Sequence, residues 1–185
     1  MITSPRIILG MSSPESSIFF KRASFWRGVL IQCLLLVIVY TALQIWQSRN
    51  VIAGQAPPIN AVLLNGQQVS LANYEGKLVL VHFWASWCPI CRFEEASISS
   101  IAEDYAVLSF ASQSGDVETL RKYVKEHDLR FPVIEDDQAE WAQHYGVKGY
   151  PSSFIIAADG SIYDVEVGYS SYWGLRLRLF LASLQ

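Results

Sequence analysis

The sequence predicts an α/β protein with a central mixed sheet and an added N-terminal hairpin, preceded by one transmembrane helix. An uncharged run of nineteen residues begins at Gly28. After it, short apolar runs rich in β-forming residues alternate with segments of helical periodicity. The order β-α-β-α-β-β-α after the first hairpin is typical of a sandwich with parallel crossovers and an antiparallel edge.

The uncharged run extends from Gly28 to Trp46, and at 1.5 Å per helical residue its length is about 28 Å. That length is enough to cross the core of a bilayer. The run is longer than the apolar part of most cleaved signal peptides, although a weak cleavage pattern at Gly54 to Ala56 keeps that alternative open. We therefore expect residues 28–46 to be a signal anchor inserted in the membrane.

Flanking charges predict the orientation of this anchor. Four basic residues lie close to the span, three before it and one after it: Lys21, Arg22, Arg27 and Arg49. The positive-inside rule then places residues 1–27 in the cytoplasm and exports the rest, which in a bacterium means a single-pass inner-membrane protein with a periplasmic C-terminal domain. Nine basic and sixteen acidic residues follow residue 50, a balance that disfavours nucleic acid as a partner.

The exported part divides into a tether and one domain. Residues 47–58 are polar and small and end in Pro-Pro, as a linker does, and residues 59–185 form the domain. The predicted elements of the domain are a hairpin of Ala61–Leu64 and Gln68–Leu71, a buried strand Leu78–Ala85, a helix Pro89–Tyr105, a strand Ala106–Ser112, a helix from Asp116 through Glu126, a short strand Phe131–Ile134, a short helix Ala139–Tyr145, a hairpin turning at Asp159-Gly160, and a last helix capped by Ser170 or Ser171.

Two of the three cysteines, Cys88 and Cys91, stand in the motif W-C-P-I-C directly after the buried strand. A purely structural disulfide is disfavoured, because closing so short a loop removes little entropy from the unfolded chain. A zinc site would need further ligands, and no second C-x-x-C or H-x₃₋₅-H pair supplies them. Two thiolates can hold Cu(I), so a copper-binding module, with His82 as a third ligand, stays an alternative.

A redox-active pair fits the position of the motif best. Cys88 would lie at the N-terminus of a helix, where the dipole and free N–H groups favour the thiolate that attacks disulfides. Cys91, one turn further along, would be the buried resolving thiol. Cys33 falls inside the predicted span and is expected to be an apolar packing residue.

The stretch W-A-S-W-C-P-I-C after L-V-H-F resembles the active-site motif of the thioredoxin superfamily. The segment G-V-K-G-Y-P-S-S-F-I-I resembles the part of that family that carries its cis-proline, which would be Pro151 here. The resemblance implies a thioredoxin-like sandwich in which Pro151 lies beside the cysteines and binds extended substrate.

The single anchor, the added hairpin and C-R-x-E resemble the TlpA, ResA and cytochrome c maturation group. F-P-V-I-E-D-D and S-Y-W-G-L-R-L-R-L-F are similar to the copper-sensitivity-suppressor D type of protein disulfide oxidoreductase. This similarity implies a membrane-anchored thiol-disulfide oxidoreductase acting in copper or redox stress. Maintenance of apocytochrome c is the second enzyme alternative, although Ser152-Ser153 replaces the acidic residue that follows the cis-proline in that group.

His82 occupies the position of an aspartate that thioredoxins carry in this strand. One interpretation is a buried neutral histidine held by a hydrogen bond. The other makes His82 the base that takes the proton from Cys91. Glu94 matches the active-site glutamate of the group, and it is either an exposed residue favoured by the helix dipole or a charge facing the cysteines.

The substrate surface is expected to include Trp87, Pro89, Ile90 and Tyr150. We expect no dissociable cofactor and no metal, because the cysteines themselves store the electrons. The partners implied are thiols and disulfides of exported proteins and, for a reductant, a membrane thiol electron carrier. A peroxidase is disfavoured, since the P-x-x-x-T-x-x-C pattern of peroxiredoxins is missing from the sequence.

Overall fold

A computed structural model describes residues 54–184 and, in a separate unit, Trp26, residues 28–39 and Thr41. The N-terminal unit is helical and exposed at each of these positions. No helix within the described residues is long and apolar enough to cross a membrane. The remaining residues of the predicted span, Tyr40 and 42–46, lie outside the described residues. The predicted cytoplasmic segment, except for Trp26, and residues 47–53 of the predicted tether also lie outside them.

The domain contains a small antiparallel hairpin and a five-stranded mixed sheet. The strands are β1 (Asn60–Val62), β2 (Gln68–Ser70), β3 (Val79–Trp84), β4 (Ala106–Ser112), β5 (Val133–Asp136), β6 (Ser152–Ile156) and β7 (Ile162–Val167). The hairpin pairs β1 with β2, and the large sheet has the order β5-β4-β3-β6-β7. In the large sheet β3, β4 and β5 are parallel, whereas β6 is antiparallel to β3 and β7 is antiparallel to β6.

Four α-helices and one 3-10 helix complete the domain. They are the 3-10 helix Leu71–Tyr74, α1 (Pro89–Ile101), α2 (Val117–Glu126), α3 (Glu140–His144) and α4 (Tyr172–Ala182). The Asp116 carboxylate caps α2 by accepting a hydrogen bond from the Thr119 N–H at 2.9 Å. Of the two serines predicted to cap the last helix, Ser171 is the cap, since its hydroxyl accepts the Gly174 N–H.

The two faces of the sheet carry separate apolar cores. One core unites the sheet with α1, α2 and α4 and contains both cysteines, together with Trp84 and Ile98. The other joins the sheet to the hairpin and α3 around Phe83. Successive side chains of a strand point to opposite faces, so β3, which is buried throughout, supplies residues to both cores.

The predicted mixed sheet and hairpin are confirmed, and several boundaries differ. β5 begins at Val133 rather than Phe131, because Pro132 has no N–H to donate to a ladder. The helix predicted to reach Tyr105 ends at Ile101. The fold also begins before residue 59, since the Gly54 carbonyl accepts the Ile162 N–H at 2.7 Å.

Candidate active site

Cys88 caps the N-terminus of α1. Its backbone is extended, and its Sγ accepts the backbone N–H of Cys91 at 3.3 Å. Pro89 occupies the start of the helix, where a missing N–H costs no hydrogen bond. Both cysteines are free thiols. The sulfur of Cys88 therefore lies where the helix terminus favours negative charge.

Pro151 lies beside the cysteines although it is distant in sequence. β6 runs antiparallel to β3, and its first residue, Ser152, pairs with Phe83 near the end of β3. The Tyr150–Pro151 peptide bond is cis, and the Tyr150 carbonyl accepts a hydrogen bond from the Cys88 thiol at 3.6 Å. The structure thus brings the C-x-x-C motif and the predicted cis-proline segment together.

Cys91 is buried one turn into α1, with 2% of its surface exposed. Burial raises the pKa of the Cys91 thiol well above its usual range, and the hydrogen bond with Cys88 and the charge of Glu94 raise it further. Cys91 is therefore a thiol that needs a proton acceptor before it can attack.

Glu94 follows Cys91 by three residues and is 1% exposed. Its Oε1 accepts the backbone N–H of Ser170, whereas its Oε2 has no hydrogen-bond partner among the described residues. Burial raises the pKa of Glu94 to about 7, although the Ser170 N–H opposes this shift. The interpretation of Glu94 as an exposed residue therefore does not apply, and its charge acts on Cys91.

A second acidic residue completes the surroundings of Glu94. The charge of Glu166, on β7, adds to the raised pKa of Glu94. Arg178 on α4 pairs with Glu166 at 2.7 Å and with Asp164 at 2.9 Å. These residues carry no motif in the sequence, because β7 and α4 meet the start of α1 only in the folded domain.

His82 lies on β3 opposite Ser153 of β6, and its Nδ1 is 2.9 Å from the Ser153 hydroxyl oxygen. Burial lowers the pKa of His82 to about 3. A neutral imidazole of such low proton affinity is a weak base for a thiol whose pKa is raised. These observations favour the buried neutral histidine, and the role of His82 as base stays a prediction.

His82→Ala tests these two roles. We expect a loss of about 2–4 kcal/mol in unfolding free energy, because the change opens a cavity and leaves the Ser153 hydroxyl without its partner. We expect little change in the rates of attack and resolution at a temperature where the variant is folded. Stopped-flow single turnovers measure both steps, and a selective slowing of resolution would establish His82 as the base.

The residues predicted for the substrate surface surround the cysteines. Trp87, Pro89 and Ile90 are exposed, and the ring of Trp87 meets the ring of Tyr150 edge-on at 6.0 Å. The indole N–H of Trp87 donates to the Gln113 carbonyl at 2.9 Å, which fixes the ring. The loop after β4 therefore supports this surface, a role that no motif indicated.

Within the described part of the chain, no three side chains of His, Cys, Asp or Glu are grouped so that they could hold a metal ion. The buried ring of His82 is instead paired with Ser153. Two thiolates can hold Cu(I) without a third ligand, so the copper-binding alternative stays a prediction.

A cysteine pair at the first turn of a helix, beside a cis-proline and on this mixed sheet, defines the class of thioredoxin-like thiol-disulfide oxidoreductases. Cys88 can exchange a disulfide with a substrate and Cys91 can close the internal one. A comparison of sequences supports the same class. The AhpC/TSA family matches residues 52–165, and the chain belongs to this family.

Individual relatives are similar over most of the chain. A thioredoxin-like protein of Haemophilus influenzae is 31% identical over 154 residues, which is 82% of this chain and 92% of that protein. The thiol-disulfide oxidoreductase ResA of Bacillus thuringiensis is 27% identical, over 77% of this chain and 86% of its own. A thiol:disulfide interchange protein of Chlorobium tepidum, of known structure, superposes with a TM-score of 0.61 at 26% identity, covering 71% of this chain and 97% of its own.

Proposed function

We propose that this protein is an exported, membrane-anchored oxidoreductase that reduces disulfides in exported proteins. The observation that carries the proposal is the position of Cys88. Its sulfur accepts the Cys91 N–H at the start of α1 and lies against the Tyr150 carbonyl, next to an exposed apolar surface. That arrangement favours attack on a disulfide held along the cis-proline segment.

The reaction has two exchange steps. The Cys88 thiolate attacks one sulfur of a substrate disulfide, the substrate S–S bond breaks, and one substrate thiolate leaves. Cys91 then gives its proton to Glu94 and attacks the Cys88 sulfur. The second substrate thiolate leaves, the internal disulfide forms, and two electrons have passed to the substrate.

Glu94 is the proton acceptor best matched to Cys91. Residues three apart on a helix are neighbours, and both side chains are buried. With a pKa of about 7, Glu94 is about half ionised at neutral pH, so it can both accept and release a proton there.

A reducing role is supported by the surroundings of Cys91. Burial, with a smaller contribution from the charge of Glu94, opposes ionisation of Cys91, so the reduced form gains no extra stability from a second thiolate. Strong oxidants of this class owe their potential to a stabilised reduced form. We therefore assign the protein to the reducing side, which requires a membrane thiol carrier to supply electrons.

The reduction potential of the Cys88–Cys91 pair tests this direction. The full chain in detergent would be equilibrated with dithiothreitol or glutathione buffers, with Cys33→Ala as the background so that only one pair titrates. We expect a value near the thioredoxin end, roughly −270 mV. A value near roughly −120 mV would contradict the reducing role and redirect the search to an oxidising partner.

Membrane anchoring is supported by the uncharged run of residues 28–46 and by the basic residues before it. We expect the full chain to stay in the membrane pellet after alkaline carbonate extraction. Release of the intact chain into the supernatant would contradict the anchor.

The role in copper or redox stress rests on the similarity to the copper-sensitivity-suppressor D type. Titration of the purified chain with Cu(I) separates an oxidoreductase from a copper-binding module. An oxidoreductase reduces a model disulfide, whereas a binding module holds stoichiometric Cu(I) and fails to do so.

A further inference from the structure

The outer face of α4 is apolar and is not covered by any described residue of the domain. This face, with Leu184 just beyond the end of the helix, has five large side chains that are between 43% and 77% exposed: Trp173, Leu177, Phe180, Leu181 and Leu184. Every exposed residue within the helix Tyr172–Ala182 itself is apolar. An apolar surface of this size is at the upper end of what a typical monomer exposes, and such surfaces are often contacts with another molecule.

The opposite face of α4 already serves the core of the domain. Leu175, Leu179 and Ala182 are buried against the sheet and α1. The helix is therefore apolar on two sides, and the domain covers only one of them. A helix in this situation is normally buried from both sides.

The charged residues of α4 argue against a lipid surface as the partner. Arg176 pairs with Asp104 at 2.6 Å, and Arg178 pairs with Asp164 and Glu166. Both arginines thus bind acidic residues of their own domain. Helices that lie on membranes use free Lys and Arg to hold anionic lipids, and the acidic balance of the chain after residue 50 opposes such binding.

The spacing of the face fits a second helix. On the helix, Trp173, Leu177 and Phe180 are separated by four and three residues, which is the spacing of an a/d seam, and Leu184, two residues beyond the helix end, continues that spacing along the chain. In an antiparallel pair of identical helices centred on this seam, Trp173 faces Leu184 of the other copy and Leu177 faces Phe180. Each contact then joins one aromatic side chain to one leucine, and the twofold axis repeats it.

We propose that the outer face of α4 is a homodimer interface, in which two copies of this chain pair their C-terminal helices antiparallel about a twofold axis. Isologous pairing of this kind is the commonest form of association between identical subunits.

The exposed area agrees with a dimer. If a large apolar side chain has about 200 Å² of surface, the five residues expose roughly 600 Å² per copy. A standard interface uses about 800 Å² per partner, with an apolar centre and a polar rim. The outer face thus supplies the centre of such an interface, and neighbouring residues supply the rim.

The test compares the oligomeric state of the full chain in detergent with that of two variants, by light scattering coupled to size exclusion over a range of protein concentrations. Leu177→Glu puts a charge at the centre of the face. Val62→Glu is the matched control, because Val62 is also an exposed apolar residue but lies on β1. Reduction of a model disulfide shows that both variants are folded.

We expect a dimer for the parent chain and for Val62→Glu, and a dissociation constant roughly 100-fold higher for Leu177→Glu. Hydrogen exchange of residues 172–184 should slow as the protein concentration rises. A monomeric parent chain, or a Leu177→Glu variant that dimerises as well as the control, would overturn the proposal. Protection of residues 172–184 that depends on added lipid vesicles rather than on protein concentration would also overturn it, in favour of a membrane surface.

Discussion

Cys91→Ser is expected to trap substrate in a mixed disulfide with Cys88. Serine cannot attack the Cys88 sulfur, so the first exchange proceeds and the second stops. Cys88→Ser should form no covalent complex and should lose at least about 10³-fold in the rate of disulfide reduction, because the nucleophile itself is removed.

Alkylation of free thiols, followed by a non-reducing gel and mass spectrometry, detects the trapped complex. Cys33→Ala is the control, since Cys33 lies in the N-terminal unit, and it should leave trapping by Cys91→Ser unchanged. If Cys88→Ser trapped substrate and Cys91→Ser did not, the roles of the two cysteines would be reversed.

Glu94→Gln is expected to slow resolution while it stabilises the folded domain at alkaline pH. The amide keeps the shape of the side chain and can still accept the Ser170 N–H, but it takes no proton from Cys91. General acid–base groups contribute about 10²-fold or more to a rate. Loss of the Glu94 charge also lowers the pKa of Cys91, yet that charge contributes least to the raised pKa, so the slower rate should prevail.

The pH profile of resolution distinguishes Glu94 from a merely structural residue. In the parent protein the rate should rise through an inflection near pH 7, and Glu94→Gln should lack that inflection. Glu166→Gln removes a repulsive charge, so it should move the inflection to lower pH. Glu95→Gln, the neighbouring residue on α1, is the matched control and should leave it unchanged. An inflection that survives in Glu94→Gln would exclude Glu94 as the acceptor.

Stability should depend on pH through the same group. The folded pKa of Glu94, about 7, lies above its ordinary value of 4.5. The folded state therefore binds more protons than the unfolded chain between these values, and stability is lost as the pH rises through 7. The ionised form costs the fold about 3 kcal/mol, so Glu94→Gln should be more stable than the parent at pH 8 by up to that amount, with little difference at pH 4. Urea unfolding at the two pH values measures this difference.

Much of the fold could be predicted because its signals are local. The continuous apolar run around Val81 is typical of a strand buried on both faces, Asp116 caps the helix that it was expected to cap, and Ser171 is the cap among the two serines predicted for the last helix. The wrongly predicted boundaries lie at the ends of elements, where one proline or one additional hydrogen bond determines the residue at which the element begins. Pro132 delays β5, and the pairing of Gly54 with Ile162 brings the predicted tether into the fold.

For the site, the sequence by itself determined the position of the cysteine pair at the start of a helix and predicted its redox role, with Pro151 suggested by the resemblance. Only the tertiary structure decided the proton chemistry. Glu94 is a helix residue whose exposure was open from sequence, and it becomes a titratable group near pH 7 because the loop before α4, Glu166 on β7 and the core of the domain enclose it. A pKa depends on desolvation and on charges brought close by folding, and neither is encoded in the spacing of residues along the chain.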